Sequence, residues 1–302
     1  MEPYSVLMSV YQKETPDYFY IAIQSMLNQT IPSDDIVMMC DGPLTPELDQ
    51  VIAYFDRKHP GLFQIVRIPQ NGGLGKALRE GVLRCKHEII ARMDTDDIAV
   101  PTRVEHQMKH MLHDKRIGAV GGQIGEFTTL PAPSITGYRM VPLTAQQVRK
   151  RAATHNPMNH MTVLLRKSAV LDAGNYMDFP LFEDYHLWSR MLAKEYDLIN
   201  IDEICVFARV DNMHQRRGGM DYFKQTAEME RHLIRCGLIG KLQYRKNLAV
   251  RFLGTVVISG KLSGLAYNHF LRSSKPSQTD ETLLRKLHTA YHREYTDEGS
   301  HT

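Results

Sequence analysis

Asp94 and Asp96 stand one residue apart and Asp97 follows directly, so three carboxylates crowd into one turn behind an apolar run. Like charges this close raise one another's cost of ionisation and call for a counter-ion. A divalent cation, Mg²⁺ or Mn²⁺, that takes one or two of these oxygens and completes its shell from phosphate groups is one answer. A solvated acidic turn or a helix N-cap is the other, since aspartate favours both. A calcium loop of the EF-hand type is excluded. Glu105 stands at its twelfth position, but Ile98 and Ala99 occupy the fifth and sixth, where an oxygen ligand and a glycine are needed.

Gly72-Gly73-Leu74-Gly75-Lys76 looks at first like a phosphate loop, but Gln70 stands where the Walker pattern needs glycine and Ala77 where it needs serine or threonine. No Gly-x-Gly-x-x-Gly follows the first apolar run, which argues against a dinucleotide-binding dehydrogenase. Two further acidic positions attract notice: Asp41, before Gly42, and the pair Glu183-Asp184, ahead of Leu187-Trp188. An N-cap carboxylate is the plain reading of Asp184.

These residues need elements to position them. Short apolar runs at 5–11, 36–40, 63–68 and 88–93 have strand length, and segments with helical spacing at 18–28, 46–59 and 76–85 separate them. Strands alternating with helices imply a parallel α/β sheet, Rossmann-like and flanked by helices. In such sheets ligands bind beyond the carboxyl ends of the strands. Tyr11, Asp41, Asn71 with Gly72-Gly73, and Asp94 with Asp96 each follow a predicted strand, so one crevice can collect them all.

In this order and spacing the motifs resemble glycosyltransferase family 2, whose members have the GT-A fold. The resemblance is carried by Ser9-Val10-Tyr11-Gln12 with Ser25-Met26-Leu27-Asn28-Gln29-Thr30, by Asp41-Gly42, by Asn71-Gly72-Gly73-Leu74-Gly75, and by Arg92-Met93-Asp94-Thr95-Asp96-Asp97 with Pro101 and Arg103. Asn156-Pro157-Met158-Asn159-His160 and Phe182-Glu183-Asp184-Tyr185-His186-Leu187-Trp188 resemble acceptor-side blocks of a bacterial polysaccharide-synthesis subgroup. The resemblance spans roughly residues 4–217.

It implies an inverting, metal-dependent transfer of sugar from a nucleotide sugar, a UDP-sugar in the first instance, to a saccharide acceptor carried on a lipid. Tyr11, Asp41, Asn71, Gly73, Lys76, Arg92, Asp94 and Asp96 would bind the donor. Arg216 and Arg217 would fold over its diphosphate, because guanidinium offers paired donors to phosphate. Asp94 and Asp96, with His214, would hold Mn²⁺ or Mg²⁺. Asp184 would be the general base, and His160, Glu183 and Trp188 would face the acceptor. A sugar-nucleotide nucleotidyltransferase is the alternative on the same fold, but Val10-Tyr11-Gln12-Lys13-Glu14 replaces its glycine-rich basic loop. A non-catalytic nucleotide-sugar or nucleic-acid binding protein is the alternative of another class. The acidic body and the lack of a recognition motif argue against nucleic acid.

The chain has 302 residues and a formal net charge of +3, unevenly spread. Between 231 and 279 no aspartate or glutamate occurs, while Arg231, Arg235, Lys241, Arg245, Lys246, Arg251, Lys261, Arg272 and Lys275 do. The expected division is therefore a catalytic domain over 1–230 and a basic helical C-terminal region over 231–302. That region would either rest on an anionic membrane surface or pack Leu253, Val256, Val257 and Leu262 against the body. The four cysteines lack metal-type spacing and fit a reduced compartment, and Met1-Glu2-Pro3-Tyr4 does not open like a signal peptide. A cytoplasmic enzyme, peripheral at the inner face of the membrane, is the expectation.

Overall fold

The computed structural model describes residues 2–211, 219–257 and 277–299. The first half alternates as the apolar runs require. β1 (Tyr4–Val10) is followed by α1 (Pro16–Leu27), β2 (Asp35–Asp41) by α2 (Pro46–Lys58), and β3 (Phe63–Ile68) by α3 (Leu74–Arg84), before β4 (Ile89–Met93). These four strands pair in parallel in the order β3-β2-β1-β4. Parallel pairing puts all four carboxyl ends on one edge, so Tyr11, Asp41, the Asn71 turn and Asp94 leave the sheet side by side.

Beyond β4 the sheet changes character. β5 (Ile98–Ala99), α4 (Arg103–His113), β6 (Ile117–Thr128), β7 (Ser134–Arg139), α5 (Ala145–Ala152), β8 (Leu164–Arg166), α6 (Lys167–Asp172), α7 (Glu183–Ala193) and β9 (Asp197–Arg209) follow. β8 joins β4 and β6 antiparallel, whereas β6 and β9 run parallel. The sheet therefore continues as β8-β6-β9-β5, with β7 added on β6.

Two apolar layers cover the sheet. On one face α1, α2 and α4 pack through Phe19, Met26, Phe55, Val104 and Met108. On the other, α3, α6 and α7 pack through Leu78, Val82, Val170, Leu187 and Trp188. Successive residues of β4 alternate between the layers, so Arg92 shares the α7 side with Ile90, while Ala91 and Met93 face α1.

Among the described residues the C-terminal part has α8 (Gly219–Arg235), α9 (Lys241–Phe252), one π-helical turn (Leu253–Val257) and α10 (Gln278–Gly299). α8 runs straight through the expected boundary at 230/231. α10 returns to the body and buries Leu284, Leu287 and Tyr291 against Ile21 of α1 and Ile135 and Tyr138 of β7. Leu253 is half exposed, and Leu262 lies outside the described residues. Among the described residues no helix is long and apolar enough to cross a membrane.

Candidate active site

Asp41 ends β2, and its two carboxylate oxygens accept backbone N–H bonds from Gly72 (2.8 Å) and Gly73 (2.9 Å). Asn71 closes the same link by donating its side-chain amide to the Asp41 carbonyl at 3.0 Å. Gly73 sits at φ +88° as the N-cap of α3, a conformation that favours glycine. A carboxylate has room for about four acceptor contacts, so Asp41 can hold this turn and still accept from a ligand. Tyr11 is half buried beyond β1, and Lys76 is exposed at the rim, 3.1 Å from Asp178.

At the end of β4 the Asp94–Asp97 turn is fixed from two sides. Arg92, buried in the sheet, donates from Nη2 to Asp94 at 2.5 Å. Burial works against the guanidinium charge, but the Asp94 carboxylate outweighs it and holds the group in its cationic form. From the far side Arg209, the last residue of β9, donates its backbone N–H to Asp97 (2.8 Å) and its Nε to the Asp96 carbonyl (3.1 Å). Its guanidinium lies 3.5 Å from the centre of the Tyr18 ring and 4.7 Å from that of Phe127. Glu14 completes the group by accepting from the Thr95 hydroxyl at 2.7 Å. Burial, with Asp94 and Glu14 nearby, pushes the Asp96 carboxyl up to about 7. Asp97, fully enclosed beside two other carboxylates, is raised well above the ordinary range.

Asp184 lies in the first turn of α7, where the helix dipole favours an anion. One of its oxygens accepts from the Tyr185 N–H (2.7 Å) and the other from the Asn156 amide (2.5 Å). Burial nevertheless raises its pKa, with those two bonds opposing. Glu183 is raised for the same first reason.

The two acidic groups share neighbours. The Arg92 charge acts on Asp94, Asp184, Glu183 and His160 alike, and Tyr176 feels Asp184, Asp94 and Glu183. The Asn71–Lys76 turn bridges to α7 as well: a Cβ on Gly75 would stand 2.9 Å from Glu183 Cγ. The Asn71–Lys76 turn that Asp41 holds, the Asp94–Asp97 turn and the start of α7 are therefore neighbours at the carboxyl edge of the sheet.

The glycosyl transferase family 2 profile matches residues 5–170. The chain belongs to glycosyltransferase family 2. An uncharacterized glycosyltransferase of Haemophilus influenzae is 40% identical over 270 residues, covering 89% of this chain and 99% of the relative. The amylovoran biosynthesis glycosyltransferase AmsE of Erwinia amylovora is 34% identical, over 76% of this chain and 84% of its own length. The UDP-Gal:alpha-D-GlcNAc-diphosphoundecaprenol beta-1,3-galactosyltransferase of Escherichia coli is 29% identical, over 82% and 89%. Among solved structures, the mannosyltransferase PcManGT of Pyrobaculum calidifontis, in complex with GDP-Man and Mn²⁺, superposes with a TM-score of 0.60 at 15% identity, over 96% of this chain and 86% of that one. S. aureus TarS 1–349 in complex with UDP-GlcNAc gives 0.61 at 13% identity, over 96% and 80%. These likenesses show the fold, which is GT-A.

Within this glycosyltransferase the remaining predicted positions fall into two sets. His214, Arg216 and Arg217 lie outside the described residues. His160 and Trp188 are buried, which corrects the expectation that they face an acceptor. His160 bonds the Tyr176 hydroxyl at 2.8 Å and meets Trp188 edge-on, and Trp188 is fully enclosed. Burial and the Arg92 charge keep His160 neutral.

Asp94 and Asp96 are the described carboxylates that could hold a divalent cation. Among the described residues no cationic side chain reaches Asp96 at ion-pair distance, and no three His, Cys, Asp or Glu side chains gather as a ligand set. Two carboxylates that leave most of a coordination shell to a diphosphate and water match the way Mg²⁺ and Mn²⁺ are held. Sequence reasoning missed Glu14, Asn156 and Arg209 as site residues. Arg209 ends β9, Glu14 lies in the loop between β1 and α1, and Asn156 lies inside a quoted motif, so the signal was present without a partner to interpret it.

Proposed function

We propose that this glycosyltransferase moves a sugar from a UDP-sugar to a hydroxyl of a saccharide borne on a lipid diphosphate, with inversion at the anomeric carbon, at the inner face of the membrane. The observation that supports the reading is that two acidic groups are held separately, Asp94 by Arg92 and Asp184 by Asn156, while the Arg92 charge acts on both. The printed name of the Escherichia coli relative supports the donor and the carrier, since it specifies UDP-Gal and a diphosphoundecaprenol acceptor.

In this reading Tyr11 and Asp41 receive the nucleoside, Asn71, Gly73 and Lys76 border it, and Arg92 holds Asp94 in place. Arg216 and Arg217 would pair with the diphosphate. Asp94 and Asp96, with His214, would hold a divalent cation, which when bound neutralises the charge that gathers on the departing diphosphate. Asp184 accepts the proton of the acceptor hydroxyl. The acceptor oxygen forms its bond to the anomeric carbon from the face opposite the nucleotide, and the sugar–phosphate bond breaks with its electron pair going to the diphosphate. Proximity and orientation supply most of the acceleration. Glu183, next to the base, orients the acceptor.

Incubating the full-length protein with a panel of UDP-sugars and a synthetic lipid-diphosphate saccharide, with product read by mass spectrometry, tests this. Transfer from one UDP-sugar with inverted linkage is expected. Failure with every UDP-sugar, together with turnover of GDP-mannose, would remove the UDP assignment.

A further inference from the structure

The acid-free stretch lays positive charge along the chain, but folding neutralises part of it. Arg231 and Arg235 pair with Glu228, and Arg251 with the buried Glu230. Lys261, Arg272 and Lys275 lie outside the described residues. Lys241, Arg245 and Lys246, all on α9, remain exposed with no acidic partner among the described residues.

The apolar residues of the same helix are exposed with them. Leu242 is 82% exposed, Val250 61%, and Leu253, in the turn that continues the helix, 52%. Positions 242, 246, 249, 250 and 253 follow the i, i+4, i+7, i+8, i+11 pattern of one helix side. A lone exposed leucine needs no explanation, but three apolar side chains on one face, bordered by lysine and arginine and no acid, match an interfacial helix.

The opposite side of α9 is tied to α8 and to the segment after α5. Asn247 donates to Glu230 (2.8 Å) and to the Ala153 carbonyl (2.9 Å), and Arg251 donates to Glu230 (2.6 Å) and to the Thr154 carbonyl (2.5 Å). Two residues further along, Asn156 holds Asp184. The inner side of α9 and the proposed base are thus joined through the 153–156 segment, whose Ala153 and Thr154 carbonyls α9 holds and whose Asn156 holds Asp184.

We propose that the outer face of α9, formed by Leu242, Arg245, Lys246, Val250 and Leu253, docks on an anionic lipid surface and so presents the Asn156–Asp184 side of the cleft to acceptors in that surface. This deepens the reading of a lipid-borne acceptor. Charge complementarity selects the occupant: anionic headgroups attract the unpaired basic groups, and the leucine and valine side chains enter the headgroup boundary.

The full-length protein is floated with phosphatidylcholine vesicles containing or lacking phosphatidylglycerol, at low and high salt. Leu242→Glu with Val250→Glu, and Arg245→Glu with Lys246→Glu, serve as variants, their fold checked by unchanged melting temperature. Wild type is expected to float with the anionic vesicles only and to release in salt, and each double variant to bind at least about ten-fold more weakly. Transfer to lipid-diphosphate acceptor in vesicles should fall with binding, while transfer to a water-soluble acceptor stays unchanged. Wild-type flotation that both variants retain overturns the proposal, as does equal flotation on neutral vesicles, or binding of duplex DNA with no flotation at all. Loss of soluble-acceptor turnover in folded variants also overturns it, because α9 would then serve the cleft directly. Absence of transfer to either acceptor in wild type refutes the functional reading instead, and flotation still decides the docking face.

Discussion

A carboxylate that serves as base must be ionised when the hydroxyl arrives. Burial raises Asp184, so activity should decline on acidification through a pKa above the ordinary aspartate value. The Asn156 amide stabilises the ionised form, so Asn156→Ala removes a bond that lowers the pKa and should move the acid limb of the kcat/KM profile upward. An unmoved limb would separate Asn156 from the base. Asp184→Asn should lower kcat by about 10²–10⁴ with little change in donor KM, measured in steady state. Arg209 acts by positioning: its Nε on the Asp96 carbonyl and its N–H on Asp97 aim the turn. Arg209→Met should weaken apparent Mn²⁺ affinity by about ten-fold, read by calorimetry in the presence of UDP. Unchanged affinity would leave Arg209 a purely structural residue. The acids were legible in the sequence because each sits where a strand stops or a helix starts. Arg209 was not, since it meets Asp97 across 112 positions of chain and no local pattern announces such a meeting.

Periodicity exposed β1, β2, β4 and α1 to α3 because each buries one clear face or both, and the turns after β2 and β3 carry Asp41-Gly42 and Gly72-Gly73. The second half resisted for physical reasons. β8 has three residues, too short to show a period. β6 carries Gly118, Gly121, Gly122 and Gly125, where a Cβ would collide with Met191, Asn200, Cys205 and Phe207, so close packing rather than strand propensity selected its residues. The amphipathic patch at 283–291 was visible, but its destination was not. α10 closes over α1, which explains why α1 buries Tyr20 and Ile21 as well as its sheet-facing side. The Tyr138 hydroxyl fastens the helix start by donating to Asp280 (2.8 Å) and accepting from the Ser277 N–H (2.8 Å). Leu284 is fully buried there. Leu284→Ala should cost about 2–5 kcal/mol in denaturant unfolding and leave UDP affinity within about two-fold, because the contact lies on α1 and β7 rather than in the cleft. A fall in UDP affinity matching the loss of stability would instead make α10 part of the donor site.

At the scale of the whole molecule, the donor-side acids set a conflict between stability and function. The folded chain holds a proton on Asp96 up to about pH 7 against an ordinary value of 3.8. A folded pKa raised above the unfolded one means that the native state binds the proton more tightly. Below the unfolded value both states are protonated and nothing is lost. As pH climbs from there toward about 7, ionisation increasingly penalises the native state, and above it the penalty is complete. Asp97, raised in the same direction, adds to it. Without a cation the protein should therefore melt lower at about pH 8 than at about pH 5.5, and Mn²⁺ with UDP should raise the melting temperature more at the higher pH, by about 5 °C. Asp96→Asn carries no charge to penalise, so it should melt above wild type at the higher pH in the absence of metal, gain little from Mn²⁺ with UDP, and lose transfer. Calorimetric scans of both proteins at the two pH values decide the matter. An Asp96→Asn variant that melts below wild type under those conditions would show that the carboxylate stabilises the turn, and the opposition between folding and cation binding at this site would not exist.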